Sequence, residues 1–484
     1  MRGSVRQSSA YPLEITVLSS LVAIYGTGAS ARMSDEKPQT GTDQIFGHID
    51  PDAMKVVRRL LTADHEAYLV GGCVRDLYLG HRPKDFDVAT SATPELIRKL
   101  FRNSRVIGRR FKLAHVFFGS KIIETSTFRT APEQDADDPL ITHDNEWGSV
   151  EDDARRRDFT INGLFYDIET RKIVDFVDGM DDLDRAVVRT IGDPELRFRE
   201  DPVRMIRAIK FAARLDFRIE DATWKALLEV APDITRSSRA RLLEEIYKLL
   251  RSGASRRCFE LLLEAGLLHR IMPMYTAQYG AHDEGVSALT AGLVPAEVAD
   301  GEEPAPDTRP GALLWRHLDA LDDYIRVTRA DVVNGVLQAV LFAPLLFEPM
   351  RDGNRQALDR AIEEAMTPVG AAFGVARRDR ELARQILMAH HRMTDSRPRR
   401  RRRSAIGQRQ YFHDALIFLG ISVEASGGDT SELSRWTALA QAQQEQAAKA
   451  REQGDGGRKR TRRRRGGRRK KPAGERSASP PRDG

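Results

Sequence analysis

Two aspartates one residue apart, Asp85 and Asp87, close a nineteen-residue stretch from Leu69 that reads LVGGCVRDLYLGHRPKDFD. In a strand, residues i and i+2 project from the same face, so carboxylates on either side of Phe86 would stand side by side. Held that way they repel each other unless a divalent cation lies between them, and they read as a metal site. Gly71 and Gly72 come shortly before. Lacking a Cβ, they let backbone amides approach an anion closely. A lone Gly-Gly is ordinarily a turn and a lone Asp-x-Asp a solvated edge, but both together inside twenty residues form a layout for a triphosphate and its magnesium.

The elements that must position these groups follow from the pattern around them. Ala67 to Val70 (AYLV) is a short apolar run of β-forming residues that stops at the glycines. Val74, Leu77 and Tyr78 then predict a short helix opening directly after Gly72, with Gly80 as its stop. Helices are expected at Asp52 to Ala63 and Pro94 to Phe101, and strands at the Asp85–Asp87 segment, His115 to Phe118 and Ile122 to Phe128. Mixed α and β around a small sheet results. Ala131 to Gly148 is acidic and rich in loop formers, and reads as a mobile excursion before regularity resumes at Val150. After about Glu195 helical periodicity takes over, in Pro202 to Leu215, Arg239 to Leu250 and Arg256 to Leu263. Val294 to Gly311 reads as a loop between helices.

Two further segments carry chemistry. RRRDFTINGLFYD (Arg155 to Asp167) places Asp158 after three arginines and Asn162 four positions on. EDPVRMIRAIKF (Glu200 to Phe211) repeats Asp201, Arg204, Arg207 and Lys210 at every third residue, an oblique stripe on a helix. Adenine shows a donor amine beside an acceptor nitrogen on its pairing edge, cytosine shows the same order, and guanine and uracil show the reverse. An accepting Asp201 and a donating Arg204 would therefore fit A and C and reject G and U. The plain alternatives are a helix cap for Asp158 and a solvated face for the stripe. The pairs His143-Asp144, His282-Asp283 and His413-Asp414 lack the further ligands of a metal site.

The chain has 484 residues, enough for two or three domains. Cys73 and Cys258 are too few for a disulfide framework or a zinc site, which points to a reducing, intracellular setting. The net charge of +6 hides an asymmetry, since Arg458 to Lys471 carries eleven positive charges and no negative one, and removing them leaves −5. Such an arm is expected to be disordered and to bind nucleic acid through its phosphates; a purely solubilising tail is the alternative. Arg397 to Arg403 (RPRRRRR) adds a second basic run. The apolar stretch Ile15 to Tyr25 with Ala29-Ser30-Ala31 imitates a signal peptide, but Glu14 abuts it and Met33 opens a polar segment, so an unused upstream start is expected. No stretch reaches the roughly eighteen apolar residues of a membrane span.

On these motifs the chain resembles the class II nucleotidyltransferases that extend RNA 3′ ends without a template, the bacterial poly(A) polymerases and tRNA CCA-adding enzymes. The resemblance runs from Tyr68 to Leu263, and more weakly to the basic tail. It implies an α+β fold, a polymerase-β-like head with a small mixed sheet followed by an all-helical neck and body. The expected divisions are an extension (1–47), head (48–198), neck (199–265), helical body with an arginine-rich C-terminal domain (266–445) and disordered tail (446–484). By resemblance Asp85 and Asp87 are catalytic and hold two Mg2+ ions, and Asp158 is the third catalytic carboxylate, with Glu124 its rival. Metal binding, holding Arg157 and contacting the ribose are all open roles for Asp158. Gly71, Gly72, Arg75, Arg157 and Asn162 would bind ATP. Asp201 and Arg204 fall in the base-reading motif, with Arg207 nearby, and Lys210 stands where the family often has arginine. VIGRRFKLAHV (Val106 to Val116) resembles the poly(A) polymerases rather than their CCA-adding relatives. The expectation is a cytoplasmic, monomeric enzyme that adds AMP from ATP to RNA 3′ ends and promotes RNA decay with partner proteins. RNA would contact head, neck and tail. A CCA-adding enzyme is the alternative. An RNA-binding scaffold with an inactive head is another, opposed by the intact Asp85, Asp87, Gly71, Gly72 and Arg75.

Overall fold

A computed structural model of the chain describes residues 46–108, 112–130, 146–278, 282–291, 293, 311–346, 354–394 and 406–455. The expected N-terminal extension up to residue 45, most of the acidic excursion (131–145), the loop 294–310, the run Arg397 to Arg403 and the basic segment from residue 456 lie outside these residues. The chain divides into two compact units, 1–437 and 438–484, and the first contains all of the expected head and neck.

Seven strands form one mixed sheet in the order β3-β4-β5-β2-β1-β6-β7. They are β1 (Ala67–Val70), β2 (Asp87–Thr90), β3 (Ser104–Ile107), β4 (Leu113–Phe118), β5 (Lys121–Thr127), β6 (Leu164–Asp167) and β7 (Lys172–Asp175). Only β2 and β5 pair in parallel. Their register sets Asp87 opposite Glu124, while on the other side Asp87 faces Val70, the last residue before the glycines. One end of the sheet centre thus collects Gly71, Asp87 and Glu124.

Both faces of the sheet are covered. The helix Pro51–Leu61 starts on Asp50, whose carboxylate accepts the Asp52 amide at 2.8 Å, and Pro51 fills the first turn where no N–H is needed. Its buried Ala53, Val56, Val57 and Leu60 pack on β1 and β2. On the opposite face Val70, Ala89, Phe128 and Phe165 form a cluster with Ala154 of the helix Val150–Arg155. Alternation along β2 puts the Asp87 side chain on this second face, next to the turn that follows Ala154.

Three expectations change. Asp85 lies in a bend before β2, because β1 ends at Val70 opposite Asp87 and the chain turns away at Gly71, leaving no neighbour for Asp85 to pair with. Strands β3, β6 and β7 were not expected. Nor was the short parallel pairing of Val187–Val188 with Arg218–Ile219, which crosses into the helical part. Asp201 is not on the helix with Arg204: it is extended (φ −150°, ψ 90°) between the helices Pro194–Glu200 and Val203–Leu215. Against the second of these pack the helices Arg239–Leu250 and Ser255–Glu264. The helices Ala312–Thr328, Asn334–Phe342, Arg377–Met393 and Phe412–Ser426 pack together further along, burying Trp315, Tyr324 and Phe418.

Candidate active site

The turn after β1 depends on Gly71, whose backbone (φ 75°, ψ −129°) is in a region that only glycine enters without strain. Its N–H is taken by the Leu164 carbonyl at 3.0 Å, so the amides left for an anion begin at Gly72. The helix Gly72–Tyr78 has no side-chain cap. Its first-turn N–H groups, from Gly72 to Val74, therefore have no acceptor within the helix.

Arg157 lies over this turn. A Cβ on Gly71 would come within 3.5 Å of its Nη1, so the glycine also makes room for the guanidinium. Nε and Nη2 of Arg157 donate to Asp153 Oδ2 at 3.2 and 2.7 Å, and the group rests on the Phe165 ring. These contacts fix Arg157 while turning Nη1 toward the glycines.

Asp87 is held beside this cation in a crowd of negative charge. Burial raises its pKa first, Glu124 and Asp85 raise it further, and Arg157 opposes them; the carboxyl is pushed up to about 6. A carboxylate that resists ionisation because it is buried, with Glu124 adding to the effect, fits a site for a cation. Among the described residues no group of three or more His, Cys, Asp or Glu side chains is arranged to hold a metal alone. Glu124 also approaches His115, at 3.5 Å. A separate cavity of about 1030 Å3 touches Asp85 and Phe86 but is lined by neither Asp87, Gly71 nor Arg157.

Six expected residues make contacts within the protein. Arg75 is buried, giving Nε and Nη2 to Asp76 Oδ1 at 2.8 and 2.6 Å and Nη1 to Asn162 Oδ1 at 2.6 Å. It lies beside the glycine turn, where a Cβ on Gly72 would come within 3.5 Å of its Nη2. Asn162 donates in turn to Asp158 Oδ1 at 3.3 Å. Asp158 is ion-paired with Arg207 at 2.6 Å. Burial would raise the Asp158 pKa, but Arg207, Arg204 and the bonds from Asn162 and Phe159 outweigh it and hold the carboxyl below its usual value. The helix-cap alternative does not hold, and neither does the solvated stripe: Arg204 is buried and pairs with Glu200 at 2.7 Å, and Lys210 pairs with Glu245 at 3.2 Å.

Sequence reading missed Arg197, Glu200 and Arg241. Arg197 Nη2 donates to the carbonyls of Arg156 and Arg157, both at 2.5 Å, while its Nη1 reaches Glu200 at 2.8 Å. Glu200 then holds Arg204, so the chain Arg157, Arg197, Glu200, Arg204 connects the glycine turn to the neck. The spacings Arg197, Glu200 and Arg204 are i,i+3 and i,i+4, a signal available in the sequence. Arg241 binds Asp201 from forty residues away.

Comparison with known proteins adds the identification. Residues 67–189 match the poly A polymerase head domain, 216–279 a probable RNA and SrmB-binding site of polymerase A, and 351–471 the polymerase A arginine-rich C-terminus. Poly(A) polymerase I of Haemophilus influenzae is 34% identical over 409 residues, covering 80% of this chain and 83% of its own. The chain belongs to the poly(A) polymerase family. Poly(A) polymerase I of Salmonella typhi is 47% identical over 250 residues, 50% of this chain and 53% of that protein. The chain thus spans about half the length of some of the curated relatives it matches. A solved tRNA-processing enzyme in an apo form shares the fold, with a TM-score of 0.50 and 20% identity over 84% of this chain and 92% of that one. The arginine-rich family segment includes both basic runs, Arg397 to Arg403 and Arg458 to Lys471. Among the described residues no helix is long and apolar enough to cross a membrane.

Proposed function

We propose that this chain transfers AMP from ATP to RNA 3′ ends without a template, as a poly(A) polymerase. The observation that carries the reading is Asp87, flanked by Asp85 and Glu124 and faced by Arg157 across the Gly71 turn. The 3′ oxygen of the RNA attacks the α-phosphorus of ATP, and the bond to pyrophosphate breaks. Asp85 and Asp87 would hold two Mg2+ ions, which when bound lower the pKa of the attacking hydroxyl and neutralise charge on the leaving pyrophosphate. We assign the third carboxylate to Glu124, which shares the crowd around Asp87, and give Asp158 a positioning role. The Gly72 to Val74 amides and Arg157 Nη1 suit the triphosphate oxygens.

Base choice follows from Asp201 and Arg204. The adenine amine donates to the Asp201 carboxylate, and its neighbouring ring nitrogen accepts from Arg204 Nη2, Nη1 being held by Glu200 and the Arg197 carbonyl. Arg75, Asn162 and Arg207 keep the head and the neck helix in register beneath the nucleotide. RNA is held by the neck and by the basic tail. The enzyme works in the cytoplasm as a monomer on transcripts destined for decay, where partner proteins deliver it. A primer-extension assay with a generic oligoribonucleotide and each nucleoside triphosphate tests the proposal. Long extension with ATP alone, lost in Asp85→Asn and Asp87→Asn, is expected; a C-C-A stop confined to tRNA, or no pyrophosphate release, refutes it.

A further inference from the structure

The Asp201 carboxylate is gripped end-on by a residue outside its own segment. Arg241 Nη1 donates to Oδ1 at 2.8 Å and Nη2 to Oδ2 at 2.7 Å, two parallel bonds from one planar fork. Asp201 needs such a hold, because its backbone is extended between two helices and the last torsion of an aspartate is broad. Arg241 is itself anchored, in the first turn of the helix Arg239–Leu250, which packs on Val203–Leu215 and joins it again through Glu245 and Lys210. The two side chains keep 19% and 39% of their surface, so the pair is reachable by a base.

A free carboxylate and a forked one read different bases. With both oxygens open, aspartate is a matched double acceptor for guanine, which offers a ring N–H and an amino group side by side. Arg241 covers the sides of both oxygens that would take that pair and leaves only lateral lone pairs. One lateral lone pair is enough for the single amino group of adenine. We propose that Arg241 is a positioning residue for nucleotide selectivity, fixing the plane of Asp201 and removing the mode in which that carboxylate would accept guanine. The inference rests on Asp201 reading the base.

The test compares kcat/KM for ATP and GTP on an oligoadenylate primer in the wild type, Arg241→Gln, Arg241→Lys, Asp201→Asn and the Arg241→Gln, Asp201→Asn pair. The ATP-to-GTP ratio is expected to fall at least tenfold in Arg241→Gln, with GTP use rising in absolute terms, which a loosened fold would not produce. Arg241→Lys keeps the charge without the fork and should lose selectivity nearly as far, so it serves should the glutamine variant fold poorly. The double variant should match Asp201→Asn alone, since Arg241 acts through that group. Ratios within twofold of wild type in both Arg241 variants, while Asp201→Asn alters selectivity, overturn the inference and leave the base-reading role standing. An unaltered ratio in Asp201→Asn overturns both.

Discussion

Arg207 closes to 2.6 Å on Oδ2 of Asp158, joining the neck helix to the segment that follows the three arginines. The other oxygen of Asp158 accepts the Phe159 amide at 2.9 Å and the Asn162 side chain at 3.3 Å, and Asn162 receives Arg75. Arg214, two turns along the same helix, reaches Asp76 at 3.1 Å, so two ion pairs clamp one helix to the glycine turn. Head and neck therefore share a buried polar network.

Breaking that network should show as lost stability as well as lost rate. Asp158→Asn removes the charge that faces Arg207, and breaking a buried pair typically costs about 3–5 kcal/mol. Because Arg207 retains 38% of its side-chain surface, we expect less, on the order of 1–3 kcal/mol. Urea denaturation of wild type and variant gives the value. A full loss of activity with no change in the denaturation midpoint would return Asp158 to the reacting centre.

Asp87 predicts the opposite behaviour. Its folded pKa of about 6 lies above the ordinary carboxylate value of 3.8, so between those pH values the folded protein binds the extra proton and its stability falls as pH rises. Above about pH 6 the cost of holding a buried charge beside Glu124 is fully present. In the metal-free protein at pH 7, Asp87→Asn should therefore raise the melting temperature, by an amount equivalent to roughly 1–3 kcal/mol, while abolishing nucleotide transfer. Magnesium should stabilise the wild type and not the variant. Calorimetry in chelator and in magnesium reads both, and a variant that melts below the wild type in chelator contradicts the crowded-carboxylate account.

Much of the site was legible because its signals are local. The AYLV run ending in Gly71 marks β1 to the residue, and Asp87 follows from spacing. Strands β3, β6 and β7 are four residues each, too short for alternation to separate them from loop, and their pairing is set by distant partners. Glu124 becomes a neighbour of Asp87 only through the parallel register of β2 and β5. Arg75 and Arg204 read as free cations in one dimension, yet each is buried and paired with a carboxylate, Asp76 and Glu200, and burial is not written in spacing. Asp201 and Arg241 obey no shared period at all.

The helical body should be sensitive to acid. His317 is buried and its Nδ1 donates to the Leu313 carbonyl at 2.8 Å; burial lowers its pKa to about 4. His390 packs edge-on to Phe418 and is lowered to about 3, by burial and then by the charges of His317 and His391. Both folded values lie below the ordinary 6.5, so the unfolded chain binds more protons as pH falls, and stability present above pH 6.5 is lost toward pH 4. For His317 alone the loss is roughly 3 kcal/mol. Urea midpoints measured from pH 7 to 4.5 should fall steeply in the wild type and less steeply in His317→Gln, which starts lower at pH 7. Parallel profiles would mean the acid sensitivity lies elsewhere.

The eleven charges of Arg458 to Lys471 make a prediction about RNA rather than about ATP. Each phosphate neutralised on a single strand contributes a slope of roughly 0.7 in log affinity against log salt, so the segment can account for at most about 8. Truncation after Ala448 should weaken binding to oligoadenylate and flatten that slope by several units, measured by fluorescence anisotropy across a salt series. The groups assigned to ATP, from Gly72 to Arg204, all precede the cut, and ATP affinity should be unchanged. Holding RNA by charge alone suits an enzyme that must accept varied 3′ ends, because phosphates are common to every sequence while base edges are not. If the truncated protein keeps the full salt slope, the electrostatic hold resides in residues up to 448, and the segment beyond them has no role in capturing RNA.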